Sequence, residues 1–322
     1  MKEIGITDIE GFKIGQAENV QAGTGCTVIL AEDDMAAGMD VRGGGPASRE
    51  SELLKPTATE KRIHAVLIAG GSAFGLGAAD GVLQYLEEKG IGYDVGVTKV
   101  PLVCQSNLFD LTVGDYSVRP DKQMAYSACK NAQNGNYRDG NYGAGCGATV
   151  GKWLGMDHCM KSGVGSAAVQ VGDFKIGAIV AVNSLGDIFD PEAGTKIAGL
   201  LSEDKGSFRS TEDLLYQMSE AVENKFTGNT TIGAIIMNAD FDKARLCKIA
   251  SMTHNGFARC IRPVHTSADG DSIYALANGK VQADLDMAGT LAAEVMTKAI
   301  VSAVKSTVSA YGFPAYKDLT FV

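Results

Sequence analysis

Apolar and polar positions along this chain of 322 residues follow two periods, and the periods predict its elements. Residues 164–171 and 174–182 read as the arms of a hairpin, turned at Gly172-Asp173 and ending at Asn183. Cys26-Thr27-Val28-Ile29-Leu30 reads as a strand, with Glu32-Asp33-Asp34 as a solvated turn after it. The apolar run 64–69 is another strand, followed by glycines and a helix over about 76–89 with Leu83 and Leu86 on one face. A mostly apolar segment spans 100–111, and a short helix spans 120–131. Helical spacing returns at Leu214, Leu215, Met218, Ala221 and Val222, with Ser210 as N-cap and Asp213 three residues on. Lys225-Phe226-Thr227-Gly228-Asn229 breaks that helix, because Gly and Asn tolerate left-handed backbone. From Thr230 to Met237 the chain is β-branched and apolar, the mark of a buried strand. Amphipathic spacing covers 242–253 and continues over 257–262. A short strand spans 272–276, and a long helix runs over about 287–310. No repeat or linker interrupts this order, so the reading is one domain over 1–322.

Composition narrows the class. With 45% hydrophobic and 21% charged residues, the chain has the material for a sizeable globular core. Its 40 glycines exceed ordinary usage and fall in clusters, which implies tight turns and close backbone approaches. A net charge of −9 without a basic stripe argues against a nucleic-acid partner. Met1-Lys2-Glu3-Ile4-Gly5 shows no targeting pattern. No stretch reads as a membrane span, since the final helix carries Glu294, Lys298 and Lys305. Cysteines 26, 104, 129, 146, 159, 247 and 260 are scattered and never form C-x-x-C, so a reducing cytoplasm is expected in place of a disulfide framework. His158-Cys159 lacks further ligands at metal spacing, and neither metal nor cofactor is expected.

Three Gly-rich stretches are candidate binding loops. Asp40-Val41-Arg42-Gly43-Gly44-Gly45-Pro46 forbids helix and long strand, leaving backbone N–H groups available. Gly70-Gly71-Ser72-Ala73-Phe74-Gly75-Leu76-Gly77 lies between strand and helix, with Asp94 downstream, in the outline of a dinucleotide site. Its detail disagrees, because Gly81 comes one place late for G-x-G-x-x-G and no Lys-Ser or Lys-Thr follows. A nucleotide- or metabolite-binding protein is nevertheless the non-enzymatic alternative. Residues 134–145 form a long Asn-, Gly- and Tyr-rich loop of the kind that carries function, and it leads through Gly143-Ala144-Gly145-Cys146-Gly147 to Lys152.

Thr230 is the chemical candidate. Its hydroxyl has a strand behind it and a Gly-Asn joint in front. That placement suits cleavage between Asn229 and Thr230, which would make Thr230 an N-terminal nucleophile with its own amine as base. The bland alternative is an Asn-Thr turn, just as Asp269-Gly270-Asp271 alone is an ordinary turn at a strand entrance.

Taken together, Ile6-Thr7-Asp8, residues 40–50, residues 70–82, residues 143–152, Asn229-Thr230-Thr231-Ile232-Gly233 and residues 262–276 resemble, in order and over nearly the full length, one family. It contains the D-aminopeptidases, the β-peptidyl aminopeptidases and the nylon-oligomer hydrolases. The resemblance implies a four-layer α/β/β/α sandwich like that of the N-terminal-nucleophile hydrolases, made as one chain and self-cleaved into 1–229 and 230–322. It implies Thr230 as nucleophile, Asn183 as oxyanion donor, Lys152 as a basic residue near the nucleophile, and Asp269 and Asp271 as the carboxylates that orient Thr230 and hold a cationic group. One departure stands out: Phe109 occupies a place where the family carries Tyr, and Tyr142 is the candidate replacement for that hydroxyl contact. Thr230 with Asp269-Gly270-Asp271 is similar to the nylon-oligomer branch, so small peptides or 6-aminohexanoate-type oligomers are the implied substrates, with aminopeptidase and acyltransferase as alternatives. A homotetramer of cleaved protomers is the implied assembly.

Overall fold

The computed structural model describes residues 1–218 and 228–320. Its spine is a single strand, Thr24–Val41, far longer than the usual five or six residues. Glu32-Asp33-Asp34 is therefore no turn. These three residues are exposed at a bulge inside the strand, where pairing with the neighbouring strand slips between Leu30 and Met35. A bulge lets the strand present charge to water without leaving the ladder, and Asp34 there pairs with Arg62.

The bulge divides the sheet. We number its strands β1 (Lys2–Ile4), β2 (Phe12–Asn19), β3 (Thr24–Val41), β4 (Ala47–Arg49), β5 (Arg62–Ala69), β6 (Val103–Asn107), β7 (Val164–Val171), β8 (Phe174–Ala181), β9 (Ile232–Ala239) and β10 (Ser272–Val281). The order is β1-β7-β8-β9-β10-β3-β5-β6-β4, with β2 also on β3. The first part of β3 pairs with β2 and β5, and its last part with β10. Only β9–β10 and β5–β6 are parallel within this sheet. Parallel neighbours need a crossover, supplied by helices α1 (Ala79–Glu88) and α4 (Lys243–Cys260). The remaining helices are α2 (Lys122–Ala132), α3 (Thr211–Tyr216) and α5 (Leu285–Lys305).

Strand alternation then builds the layers. Ile232, Ala234 and Ile236 of β9 face Ile14, Ile29, Val66 and Ile68 of the opposite half-sheet. Ile235, Met237 and Ala239 face Leu246 and Phe257 of α4 and Val295 and Ile300 of α5. On the far side, Val28 and Leu67 pack on Val82 and Leu86 of α1 and Cys129 of α2. Three apolar cores thus separate four layers: helices, sheet, sheet, helices. The glycine excess follows from this stacking. A Cβ on Gly38 would sit 2.3 Å from the Cys247 nitrogen of α4, and one on Gly165 would sit 2.2 Å from the Ala303 nitrogen of α5.

Helix α5 corrects one expectation. By length and composition it is long and apolar enough to cross a membrane, although 61% of that stretch is buried inside the protein. Its apolar character serves the core between α4 and the sheet. Ser210 caps α3 by accepting the Asp213 N–H at 3.2 Å, as expected. The expected continuation of this helix through Ala221 and Val222, and most of its break, lie outside the described residues. The seven cysteines are all free.

Candidate active site

The parallel register of β9 and β10 pairs Ile232 with Ser272, so the segments entering the two strands run side by side. The ladder extends backwards through a bridge between Asn229 and Asp269. Asn229-Thr230-Thr231 therefore lies along Asp269-Gly270-Asp271. On the other flank, β8 pairs Ala181 with Ile232, and the chain leaving β8 brings Asn183 against Thr230. The Thr230 N–H donates to the Asn183 carbonyl at 2.9 Å. The ladder proper begins only at Ile232, two residues later than the sequence pattern suggests.

Gly270 is what makes the fit. A Cβ there would lie 2.6 Å from Thr230 Oγ1 and 3.1 Å from Thr230 Cγ2, so the threonine packs directly on bare backbone. The Gly270 N–H donates to the Asn229 carbonyl at 3.1 Å. The Thr230 hydroxyl donates to the same carbonyl oxygen. The nucleophile candidate thus rests on the peptide group that precedes it, and that group is polarised by a second donor.

Lys152 is 1% exposed. Its Nζ donates to Asn183 Oδ1 at 2.6 Å, to the Asn183 carbonyl at 3.2 Å and to the Gly228 carbonyl at 3.0 Å. Its backbone is zipped to the turn after Asn183 through the bond from its N–H to the Leu185 carbonyl at 3.1 Å. Burial pushes the ammonium down to about 7, against the carboxylates of Asp269 and Asp110, which favour it. Asn183 Oδ1 also accepts the Thr149 N–H at 3.1 Å, which fixes the orientation of the amide. One N–H of its Nδ2 donates to the Phe109 carbonyl at 2.9 Å.

The two carboxylates are 2% exposed and differ in their company. Asp271 accepts the Thr231 N–H on Oδ1 at 2.9 Å and His265 Nδ1 on Oδ2 at 2.8 Å. Asp269 Oδ2 accepts the Thr266 N–H at 2.8 Å and its hydroxyl at 2.6 Å. Asp269 Oδ1 is buried with no hydrogen-bond partner among the described residues. Burial, helped by the charge of Asp271, raises Asp269 to about 6. Burial thus moves both Lys152 and Asp269 toward neutrality.

The structure thus gathers Asn229, Thr230, Asn183, Lys152, Asp269 and Asp271, and brings Phe109 in through its main chain. It places Tyr142 elsewhere. That ring lies under the Arg138 guanidinium, 3.7 Å from its centroid, because the Gly143 N–H is drawn to Glu18 at 2.8 Å and the loop closes on β2. Three contributors do not stand out in the sequence. Gly270 was hidden in an ordinary-looking turn. Asp110 fills the Gly70-Gly71 loop, accepting the Gly71 N–H at 2.7 Å and the Thr24 hydroxyl at 2.6 Å. The glycines of the apparent nucleotide loop thus cradle an internal carboxylate, which burial raises to about 6. Lys161, 0% exposed, donates to the Gly145 and Ala148 carbonyls at 3.0 Å and also to Ser162, bracing the loop that leads to Lys152. A lysine amid Met160, Ser162 and Gly163 was the available signal.

In fold and in sequence the chain is similar to known proteins. The solved β-aminopeptidase of a Burkholderia species superposes with a TM-score of 0.68 at 19% identity, covering 95% of this chain and 88% of that one. The L-aminopeptidase D-Ala-esterase/amidase of Ochrobactrum anthropi, described as a variant of the Ntn hydrolase fold, gives a TM-score of 0.70 at 17% identity, covering 94% and 86%. The four layers are thus those of the Ntn hydrolases. Among sequence relatives, an uncharacterized aminopeptidase of Mycobacterium tuberculosis is 36% identical across 98% of this chain and 97% of its own. A 6-aminohexanoate-oligomer endohydrolase of an Agromyces species is 30% identical across 92% of this chain and 85% of its own. The model of peptidase family S58 matches residues 5–315. With nearly the whole chain matched, the protein is an amide-bond hydrolase and belongs to peptidase family S58.

Proposed function

We propose that the chain cuts itself between Asn229 and Thr230 and then works as a Thr-nucleophile amide hydrolase. The observation that carries this reading is the Thr230 hydroxyl lying on an Asn229 carbonyl that also accepts the Gly270 N–H. In the precursor, Thr230 Oγ attacks the Asn229 carbonyl carbon and the C–N bond breaks. The nitrogen takes up the hydroxyl proton and becomes the Thr230 amine. Water then hydrolyses the Asn229 ester. In the mature enzyme that amine, ordinarily titrating at about 8, takes the Oγ proton as the hydroxyl attacks a substrate amide. The proton passes to the leaving amine, and water releases the acyl group. The second N–H of Asn183 is the proposed donor to the oxyanion, and Lys152 holds the acyl side through the position of the Gly228 carbonyl.

The substrates proposed are 6-aminohexanoate-type oligomers and small peptides, turned over by a homotetramer of cleaved protomers. Asp271 is already committed to Thr231 and His265. Asp269 Oδ1 is then the seat for the new Thr230 ammonium, which leaves no carboxylate to demand a free amine on the substrate. The mycobacterial relative's name favours the second reading, an aminopeptidase. Denaturing electrophoresis should show two fragments, the smaller one starting Thr-Thr-Ile-Gly-Ala, and Thr230→Ala should stay whole. A different start, or a splitting Thr230→Ala, would end this reading. Side-by-side digests of free and N-acetylated oligomers should proceed at comparable rates, and turnover of free-amine substrates alone would establish the aminopeptidase.

A further inference from the structure

Behind the carboxylate pair lies a half-buried imidazole that the proposed chemistry does not use. His265 adopts a φ of 57°, in the left-handed region that residues other than glycine rarely occupy. In this conformation both its backbone N–H, at 3.1 Å, and its Nδ1, at 2.8 Å, meet one oxygen, Asp271 Oδ2. A carboxylate oxygen accepts, so the proton is on Nδ1. Nε2 is buried with no hydrogen-bond partner among the described residues. The ring sits edge-on to His254, 4.6 Å between centroids, and stacks on Phe257 at 5.9 Å. His254 is fixed in the same manner. Its Nε2 donates to the Asp40 carbonyl at 3.2 Å, its Nδ1 is bare and buried, and burial pushes it down to about 4. The other charges on this face pair with each other, Arg42 with Asp40 at 3.0 Å.

We infer that His265 is a positioning residue for the nucleophile, acting through Asp271. The inference rests on Thr230 being that nucleophile. Once the preceding bond is cut, Thr230 is a chain end two residues ahead of the first ladder pair, and free ends fray. The Thr231 N–H bond to Asp271 Oδ1 is then the anchor next to the terminus. It holds only while the carboxylate keeps its rotation, and two donors from His265 on the other oxygen set that rotation. The strained backbone at His265 is what allows both donors to arrive together.

Three substitutions separate this role from bulk packing. His265→Asn puts an amide N–H at the place of Nδ1 and tolerates left-handed backbone. His265→Gln puts its amide near Nε2, and His265→Gly relaxes the backbone with no side-chain donor. Processing of the full chain is followed by electrophoresis after cell-free synthesis, with Thr230→Ala as control. His265→Asn should process within roughly three-fold of the wild type, and the Gln and Gly variants roughly ten-fold slower or worse. Nitrogen-15 shifts of the wild-type ring should show Nδ1 protonated. Wild-type rates in the Gln or Gly variant, a rate in His265→Asn as low as theirs, or a ring without a proton on Nδ1 would overturn the proposal. If His265→Gly fails to fold, the contrast between Asn and Gln decides. Splitting of Thr230→Ala would remove the underlying reading, whereas an inert Thr230→Ala beside a fully active His265→Gln removes this inference alone.

Discussion

Gly270→Ala adds one methyl group where the structure has no room for it. Gly270 lies outside the left-handed region, so alanine meets no backbone penalty, and the effect is steric. Ordinary contact begins at 3.4 Å, whereas the new Cβ would stand 2.6 Å from Thr230 Oγ1. Retreat is blocked by the Gly45 carbonyl at 3.0 Å. The hydroxyl must therefore yield by about 0.8 Å, taking the difference between contact and clash. Overpacking of this kind costs about 1–3 kcal/mol of stability, which a domain of this size survives. A displacement near 1 Å at a reacting atom costs on the order of a hundred-fold in rate. The expected outcome is a folded protein that splits about a hundred times more slowly, read from pulse-labelled chain on denaturing gels. Gly77→Ala, where nothing lies within 4 Å, is the matched control and should split normally. Adding Thr230→Ser to Gly270→Ala removes the Cγ2 contact at 3.1 Å and should recover part of the rate. Wild-type splitting in Gly270→Ala would refute the idea that Thr230 acts from the position described.

Asp269→Ala and Asp271→Ala should each slow splitting or turnover while the fold persists, checked by gel and circular dichroism, and full activity in both would reduce the pair to a turn. Stability should rise between pH 7 and 9. Burial holds Lys152 and Lys161 at about 7 against an ordinary 10.5, so above pH 7 the unfolded chain binds more protons than the folded one. Each lysine contributes on the order of 1 kcal/mol per pH unit over that window. Above 9 the buried thiols oppose the trend, since Cys104 and Cys129 are pushed up to about 12 and stay protonated only when folded. Urea midpoints of uncut Thr230→Ala that stay flat or fall from pH 7 to 9 would contradict this.

Elements held by neighbouring residues were legible in the sequence. The hairpin turned at Gly172-Asp173 appears as expected, pairing Val171 with Phe174, and α2 and α4 fall on the segments expected to be helical. The long strand β3 was not legible, because three consecutive acidic residues look like a turn until a partner strand shows that they bulge. The direction of the Tyr142 loop depends on Glu18, a residue remote in sequence. Within the site, residue types that carry chemistry stood out. Gly270 and His265 did not, because one acts by lacking a side chain and the other through a carboxylate. Their contributions exist only in the folded arrangement.

The place of β9 and β10 in the sheet bears on how such a protein can be inherited. After a cut at residue 229, both strands would belong to the smaller piece, yet β8 and β3 on either side of them belong to the larger. Neither piece alone closes a core, and each alone exposes two raw strand edges. Breaking that single bond would therefore free a chemical group without releasing a subunit, and the pieces would part only when everything unfolds. Two genes encoding the two halves would have to solve an assembly problem that one continuous chain never meets. A cut at residue 229 would therefore have to follow folding of one continuous chain.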